Sequence, residues 1–417
     1  MVTDTLPVPP LRPVETLQME DQGRHYLLLR DPYGYSEKMI AIAVEAAPLL
    51  ALMDGHRTFS QIIEEFERMT GHSVEAEEFK AMLDLLEGAY LLETADFQKH
   101  RVQLEDEYRE KAQRSPALSG SGYPSDPAEL AAYLDGLLSI PADEDMEPEE
   151  LLENKTIRGL LLPHIDLHRG GSTYGRGYQK ILSRIDDFRD PLLVGIIGVA
   201  HQGSGYPIVA STKDFVSPLG ALKSDRKALD YLKEKLGDRV FQDEWVHRSE
   251  HSVELQAVWL QHIFKGREIT IMPMASGIIS PGESGTPRGN PDVELVVKTL
   301  KEIEKQHEGS VLWVASVDFA HVGLYFGDQG YVDDKIRTET ARLDMEALDA
   351  VRASDADVWW KSIMLDDNKR RICGLNATYL VLRLLEGTQS RVIDYQQAVS
   401  EKADQMVTFA ASIFQEK

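Results

Sequence analysis

The sequence predicts an α/β domain, a central sheet flanked by helices, preceded by a small winged-helix-like module. Three observations predict it. From Ile157 onward, short and wholly apolar runs alternate with segments of helical period, the pattern of a buried sheet between helices. Between His25 and Leu92 the pattern is different: a strand, three helices and a strand follow one another without a break. The length of 417 residues suits two or three domains at roughly 150 residues each.

Residues 1–22, with Pro7, Pro9, Pro10 and Pro13, are expected to form a flexible arm. The module occupies 23–96. It begins with a strand at 26–30 and a turn at Asp31-Pro32-Tyr33-Gly34. An apolar helix over 39–53 stops at Asp54-Gly55. Thr58 opens a second helix, on which Phe59, Ile62, Ile63 and Phe66 recur at helical spacing before Gly71 closes it. A third helix covers 76–87, and Tyr90-Leu91-Leu92 closes the module as a strand. Residues 97–114 are charged and are expected to be a helical linker. The α/β domain takes 115–417, with an acidic solvated loop at 141–150. Its expected strands are 157–162, 192–199, 269–274, 311–317, 391–398 and 406–414.

Composition removes several function classes. With 45 basic and 69 acidic residues the net charge is −24, against what a nucleic-acid-binding surface needs. The module itself carries 6 Lys and Arg against 14 Asp and Glu, so docking of a peptide or protein partner is preferred there over DNA. A covering or dimerising role for it is the alternative. One cysteine allows no internal disulfide, which fits a reducing compartment. No apolar run is long enough for a membrane helix, and 39–53 is interrupted by Glu45 and Pro48. The N-terminus has neither the basic region nor the apolar core of a signal peptide, so a cytoplasmic location is expected.

Eight of the twelve histidines fall between His164 and His321. His164 follows the expected strand 157–162, His201 follows 192–199, and Asp318 with His321 follows 311–317. Ligand sites of open α/β sheets lie beyond the C-terminal ends of parallel strands. If these strands are parallel neighbours, their polar groups converge in one crevice, as a metal or catalytic site requires. A second cluster is Glu250-His251-Ser252-Val253-Glu254. Ser249 reads as the helix cap, which places His251 and Glu254 on one face. His247 and His251 also fit the His-x-x-Glu-His pattern of inverted zinc peptidases, but the cap leaves His247 outside the helix. Cys373, in Ile372-Cys373-Gly374 ahead of a helix, is either a small buried hydrophobe or a thiolate favoured by the helix start.

Two resemblances follow from these residues. Leu52-Met53-Asp54-Gly55-His56-Arg57-Thr58, Ile62-Ile63 and 85–92 resemble PqqD-like domains, peptide-binding modules found beside radical-SAM enzymes. The lead-in 115–127, then Pro163-His164, Gly198-Val199-Ala200-His201, Glu250-His251-Ser252-Val253-Glu254, 316–323 and Ile372-Cys373-Gly374 resemble the Memo-like family of the AmmeMemoRadiSam system, in the family's order. That resemblance implies a fold similar to class III extradiol dioxygenases and a metal site of His164, His201 and Cys373, with Asp318, His321 and His251 lining the crevice; these three, and Glu254 from the helix face it shares with His251, are the catalytic candidates. Iron(II) or copper is the implied metal and zinc the alternative. Two departures stand out: Ile165-Asp166-Leu167-His168-Arg169 replaces the family's small and aromatic residues, and Gln202 stands where a second histidine is common.

The expected function is a metal-dependent redox enzyme on an unknown substrate, working beside a radical-SAM protein that docks on 23–96. The alternatives are a zinc- or cysteine-dependent hydrolase, and a binding protein with a structural metal or none. From the charge balance, the full chain is expected to show no salt-sensitive affinity for duplex DNA at physiological ionic strength. Fluorescence anisotropy with a labelled duplex checks this, and submicromolar binding contradicts it.

Overall fold

The computed structural model describes residues 6–140 and 155–417, so the acidic loop expected at 141–150 and the first five residues of the expected arm lie outside the described residues. The chain forms two compact units, Met1–Glu110 and Lys111–Lys417.

The first unit corrects the expected arm. Strand β1 (Glu15–Asp21) pairs residue for residue with β2 (Arg24–Arg30), across a turn in which Gln22 and Gly23 both have positive φ. Ahead of the hairpin, Val8 is buried, Leu11 bridges to Leu92, and Arg12 makes a buried ion pair with Asp31. Prolines limit backbone pairing here, but the apolar side chains between them still cover the helices. The helix expected over 39–53 is split. Ile40-Ala41-Ile42-Ala43 forms β3 (Ile40–Ala43) against β2, and α1 (Ala47–Leu52) begins beyond a 3-10 turn with Pro48 in its first turn. Thr58 caps α2 (Phe59–Thr70) in a reciprocal capping box with Gln61, and Gly71 ends it at φ 71°. After α3 (Ala76–Gly88), Tyr90-Leu91-Leu92 is not a strand; only Leu92 makes a bridge. The expected linker is mostly α4 (Ala95–Glu110), which belongs to the first unit and buries Phe97 and Tyr108.

The second unit opens with β4 (Gln113–Arg114) and α5 (Pro127–Leu138), followed by β5 (Ile157–Leu162), α6 (Leu167–Leu182), β6 (Leu192–Val199) and β7 (Ile208–Ala210). A small sheet is closed by β8 (Asp214–Ser217), which pairs with β4, and β9 (Gly220–Leu222). Then come α7 (Arg226–Leu236), α8 (His251–Ile263), β10 (Ile269–Ser276), α9 (Pro291–Gln306), β11 (Val311–Ser316) and β12 (His321–Val322). The chain ends with α10 (Asp334–Ala353), α11 (Ala356–Met364), α12 (Leu375–Leu384), β13 (Gln389–Val399) and β14 (Met406–Gln415).

The main sheet runs β12-β14-β5-β11-β6-β10-β7, with β13 on β14. Strands β5, β11, β6 and β10 are mutually parallel, and β7 and β14 flank them antiparallel. Their apolar runs are explained by burial on both faces. Leu160, Leu162, Val194, Ile196 and Val314 face a core that includes residues of α5, α6 and α8. The alternate residues Leu161, Leu193, Ile197, Trp313 and Ala315 face a second core built with α7, α9 and α12. Among the described residues no helix is long and apolar enough to cross a membrane.

One contact sets where α8 sits. A Cβ at Gly198 would lie 2.3 Å from Ser252 Oγ, the hydroxyl that accepts the Val199 N–H at 3.0 Å. Gly198→Ala should therefore lower stability by about 1–3 kcal/mol through overpacking. A denaturation midpoint equal to that of the unaltered protein would show that α8 can yield.

Candidate metal centre

Three neighbouring parallel strands, in the order β5-β11-β6, each end two residues before a polar side chain: His164 after Leu162, Asp318 after Ser316, and His201 after Val199. Two helix starts close on the same place. His251 is the first residue of α8, and Cys373 stands just ahead of α12. The Gly374 N–H donates to Asp318 O at 3.2 Å, and a Cβ there would lie 2.6 Å from Val317 Cβ, so glycine lets the cysteine loop press onto the end of β11.

The histidines are oriented through their Nδ1 atoms. His164 Nδ1–H donates to Ser316 O at 2.9 Å, while Nε2 lies 3.4 Å from Cys373 Sγ. His201 Nδ1–H donates to the Glu250 carboxylate at 2.9 Å, and its ring also contacts Cys373. The rings of His164 and His201 lie 5.0 Å apart, and His251 stacks on His201 at 4.9 Å. Ligand nitrogens of all three histidines lie within 4.8 Å of one another. A backbone carbonyl or carboxylate on one ring nitrogen leaves the other for a cation, which is how metal-binding histidines are held. The donor set of imidazole nitrogens and one sulfur therefore fits a soft or borderline metal.

Electrostatics agree with that geometry. Burial opposes ionisation of Cys373, but the His164 imidazolium outweighs it and brings the thiol down to about 5. Burial likewise opposes a charge on His164, and Asp318 with the Cys373 thiolate outweighs it, pushing the imidazole up to about 9. His201 is raised against burial mainly by Glu250. His251 is brought down to about 4, because burial there exceeds the pull of Glu250. In the metal-free protein the shared space is thus held by protons that a cation would replace.

The remaining expectations divide. Asp318 is a brace: its Oδ1 accepts the backbone N–H of His164 at 2.9 Å and of Ile165 at 3.2 Å, and Oδ2 is 3.6 Å from His164 Nε2. His321 donates Nδ1–H to Phe319 O at 3.1 Å and stands close enough to favour the thiolate. Glu254 is not in the crevice, which corrects its place among the catalytic candidates. It is buried against Arg114 and accepts N–H donors of Ala117 and Leu118 at 2.9 Å each, with the Tyr123 hydroxyl at 2.5 Å. The cap of α8 is Glu250 and not Ser249. His247 lies in the preceding 3-10 turn and bonds Val209 O at 3.0 Å, outside the helix as expected.

Sequence reasoning named Glu250 in its second cluster without a role, and missed Gln256. Glu250 binds the His201 ring and its backbone N–H at 3.1 Å, and its position before a helix start was the available signal. Gln256 donates to Pro163 O at 2.8 Å and to Ser316 Oγ at 2.9 Å, tying α8 to two strand ends. Nothing in its local sequence marks it.

The single cysteine makes the thiolate directly measurable. Alkylation of metal-free protein by iodoacetamide should stay near its plateau at pH 6.5 and fall only as pH drops through about 5. A rate that instead rises steadily toward the ordinary thiol range, about 8.5, contradicts the arrangement.

Comparison with known proteins gives the same outline. The family model of Memo-like proteins matches residues 114–413. A "MEMO1 family protein" of Aquifex aeolicus is 27% identical over 390 residues, covering 93% of this chain and 95% of its own. One from Thermus thermophilus is 28% identical over 346 residues, 82% of this chain and 94% of its own. One from Archaeoglobus fulgidus is 25% identical over 308 residues, and there 72% of this chain accounts for 99% of the relative. A match of 390 residues must extend into the first unit, whereas the Archaeoglobus match is about the size of the second unit alone. The family match takes in every residue of the crevice, from His164 to Cys373, and this chain belongs to the Memo-like family.

Proposed function

We propose that the chain is a metal-dependent redox enzyme whose centre is held by His164, His201 and Cys373. The observation that carries this reading is the pairing of both Nδ1 atoms, to Ser316 O and to Glu250, with His164 Nε2 3.4 Å from the one sulfur and the His201 ring beside it. Iron(II) or copper bound there would supply electron-transfer chemistry, with a coordination position for dioxygen or substrate. Zinc is the redox-silent alternative.

The chain's own residues supply the rest. Glu250 and Ser316 O orient the two imidazoles, and Asp318 fixes the backbone that carries His164. His321 has its Nδ1–H engaged by Phe319 O, which leaves Nε2 to hold or pass a proton at the edge of the crevice. The charged segment Asp166, His168 and Arg169 follows His164 directly, which favours a substrate more polar than an aromatic-lined pocket would select. Docking of a peptide or a radical-SAM protein on the first unit belongs to the same reading. A second reading, hydrolysis with Cys373 as nucleophile, is favoured by its contact with His164 Nε2; it requires activity that survives removal of metal.

Metal analysis of the full chain purified without oxygen tests the proposal. Iron or copper near one per chain is expected, and His164→Ala should lose it while the circular dichroism spectrum is unchanged. Uptake replaces the protons on His164 and His201, so apparent affinity should rise with pH at least until about 9. Wild-type protein that takes up no metal would end this reading in favour of a binding protein.

A further inference from the structure

The sheet of the first unit has one face in the core and one turned outward. Its register sets Leu27 of β2 opposite Ile42 of β3 and Leu29 opposite Ile40, and these four side chains pack with the helices of the unit. Side chains alternate along a strand, so the residues between them turn the other way. On that outer face Leu17 lies opposite Leu28 and Leu28 opposite Ala41, while Met19 lies opposite Tyr26 and Tyr26 opposite Ala43. Leu17 and Met19 are 48% and 41% exposed, and Met39, just ahead of β3, is exposed as well. Two apolar rows crossing three strands make a patch of the kind that a second layer covers.

The charges at the ends of this face decide what can cover it. The next rows outward pair Glu15 with Arg30 and Asp21 with Arg24, so acids stand at both ends of β1 and arginines at both ends of β2. Arg30 Nε donates to Glu15 at 2.9 Å, whereas Asp21 and Arg24 are exposed and have no ion-pair partner among the described residues. Consider a second copy turned about a two-fold axis that runs along the strands between β1 and β2. Its β1 lies over β2 of the first copy, and the rotation keeps both ends in step. Glu15 then meets Arg30 of the second copy, Asp21 meets its Arg24, and Leu17 and Met19 lie over its Leu28 and Tyr26. An axis across the strands instead sets Glu15 over Asp21 and Arg24 over Arg30, like charge on like. Pairing along the free edge of β1 is opposed as well, because an antiparallel register about Gln18 brings Glu15 to Asp21.

We propose that the outer face of β1-β2-β3 is the interface of a weak homodimer, self-complementary in its apolar rows and in its end charges. Strands of seven residues span about 24 Å. Two strands on two, with β3 overhanging, bury roughly 800 Å² in total, at the low end for specific association. The dimer is therefore concentration-dependent. It goes beyond the metal reading and does not depend on it, since no residue of the crevice takes part.

Sedimentation velocity of the full chain from about 2 to 200 µM, a range set by the small area, tests this. The sedimentation coefficient should rise with concentration toward that of a dimer, and a coefficient that stays monomeric throughout overturns the inference. Leu17→Asp should weaken association at least about tenfold, because its carboxylate would be buried against Leu28 without a partner; unchanged association overturns the inference too. Asp21→Arg and Arg24→Asp should each self-associate less than the unaltered chain. An equimolar mixture of these two variants should recover dimerisation, since each copy then faces the opposite charge. A role confined to the hairpin turn leaves the mixture as weak as its components, and that result counts against the face. Stronger self-association of Asp21→Arg alone would put the contact at the β1 edge, against Glu15 of the second copy, and overturn the proposal. Melting curves identify any variant that fails to fold.

Discussion

Glu250 is the constraint on which the centre depends. A buried carboxylate has to replace its water with donors, and this one recruits them from two elements at once. It takes the Ser252 N–H at the start of α8, and the backbone and ring N–H groups of His201 beyond β6. Despite burial its acid stays ionised well below the usual carboxylate range, because the His201 imidazolium faces it. One side chain therefore caps a helix, orients a ring and joins helix to sheet. Loss of any one role disturbs the other two, since buried polar networks are satisfied together or not at all.

The α/β architecture was legible because its signal is simple. The apolar runs of the central parallel strands, buried on both faces, stand out from the intervening helices, and His164, His201 and Asp318 each follow such a run closely. Cys373 was placed by resemblance and not by its own neighbourhood. Glu254 and Gln256 show where local reading stops. Both are polar residues of α8, one reaching Arg114 and the other Pro163 and Ser316, and none of those partners is local. The shift of the cap from Ser249 to Glu250 is a difference of one position between two residues that both cap helices.

The first unit was less legible for a related reason. Strand β1 is exposed along its whole length and alternates only through Leu17 and Met19, so its pairing with β2 is what reveals it. Proline-rich sequence just before it suggests disorder, yet Val8 and Arg12 are buried there by residues far along the chain. In the second unit, by contrast, every donor of the crevice is supplied from within, between His164 and Cys373. The Archaeoglobus relative, matched almost completely by 72% of this chain, is consistent with a centre that needs no residue of the first unit.

His164 and Cys373 touch across 209 positions of sequence. Contacts of such long range form late, because the loop between them must close before they yield anything. During synthesis the cysteine emerges after both strand-end histidines, and β14, which pairs directly with the strand carrying His164, emerges later still. A nascent chain consequently offers isolated imidazoles but no assembled coordination sphere. The cluster of imidazoles and thiol exists only in a domain whose sheet is complete, so its formation reports maturation of the whole unit and not of any fragment.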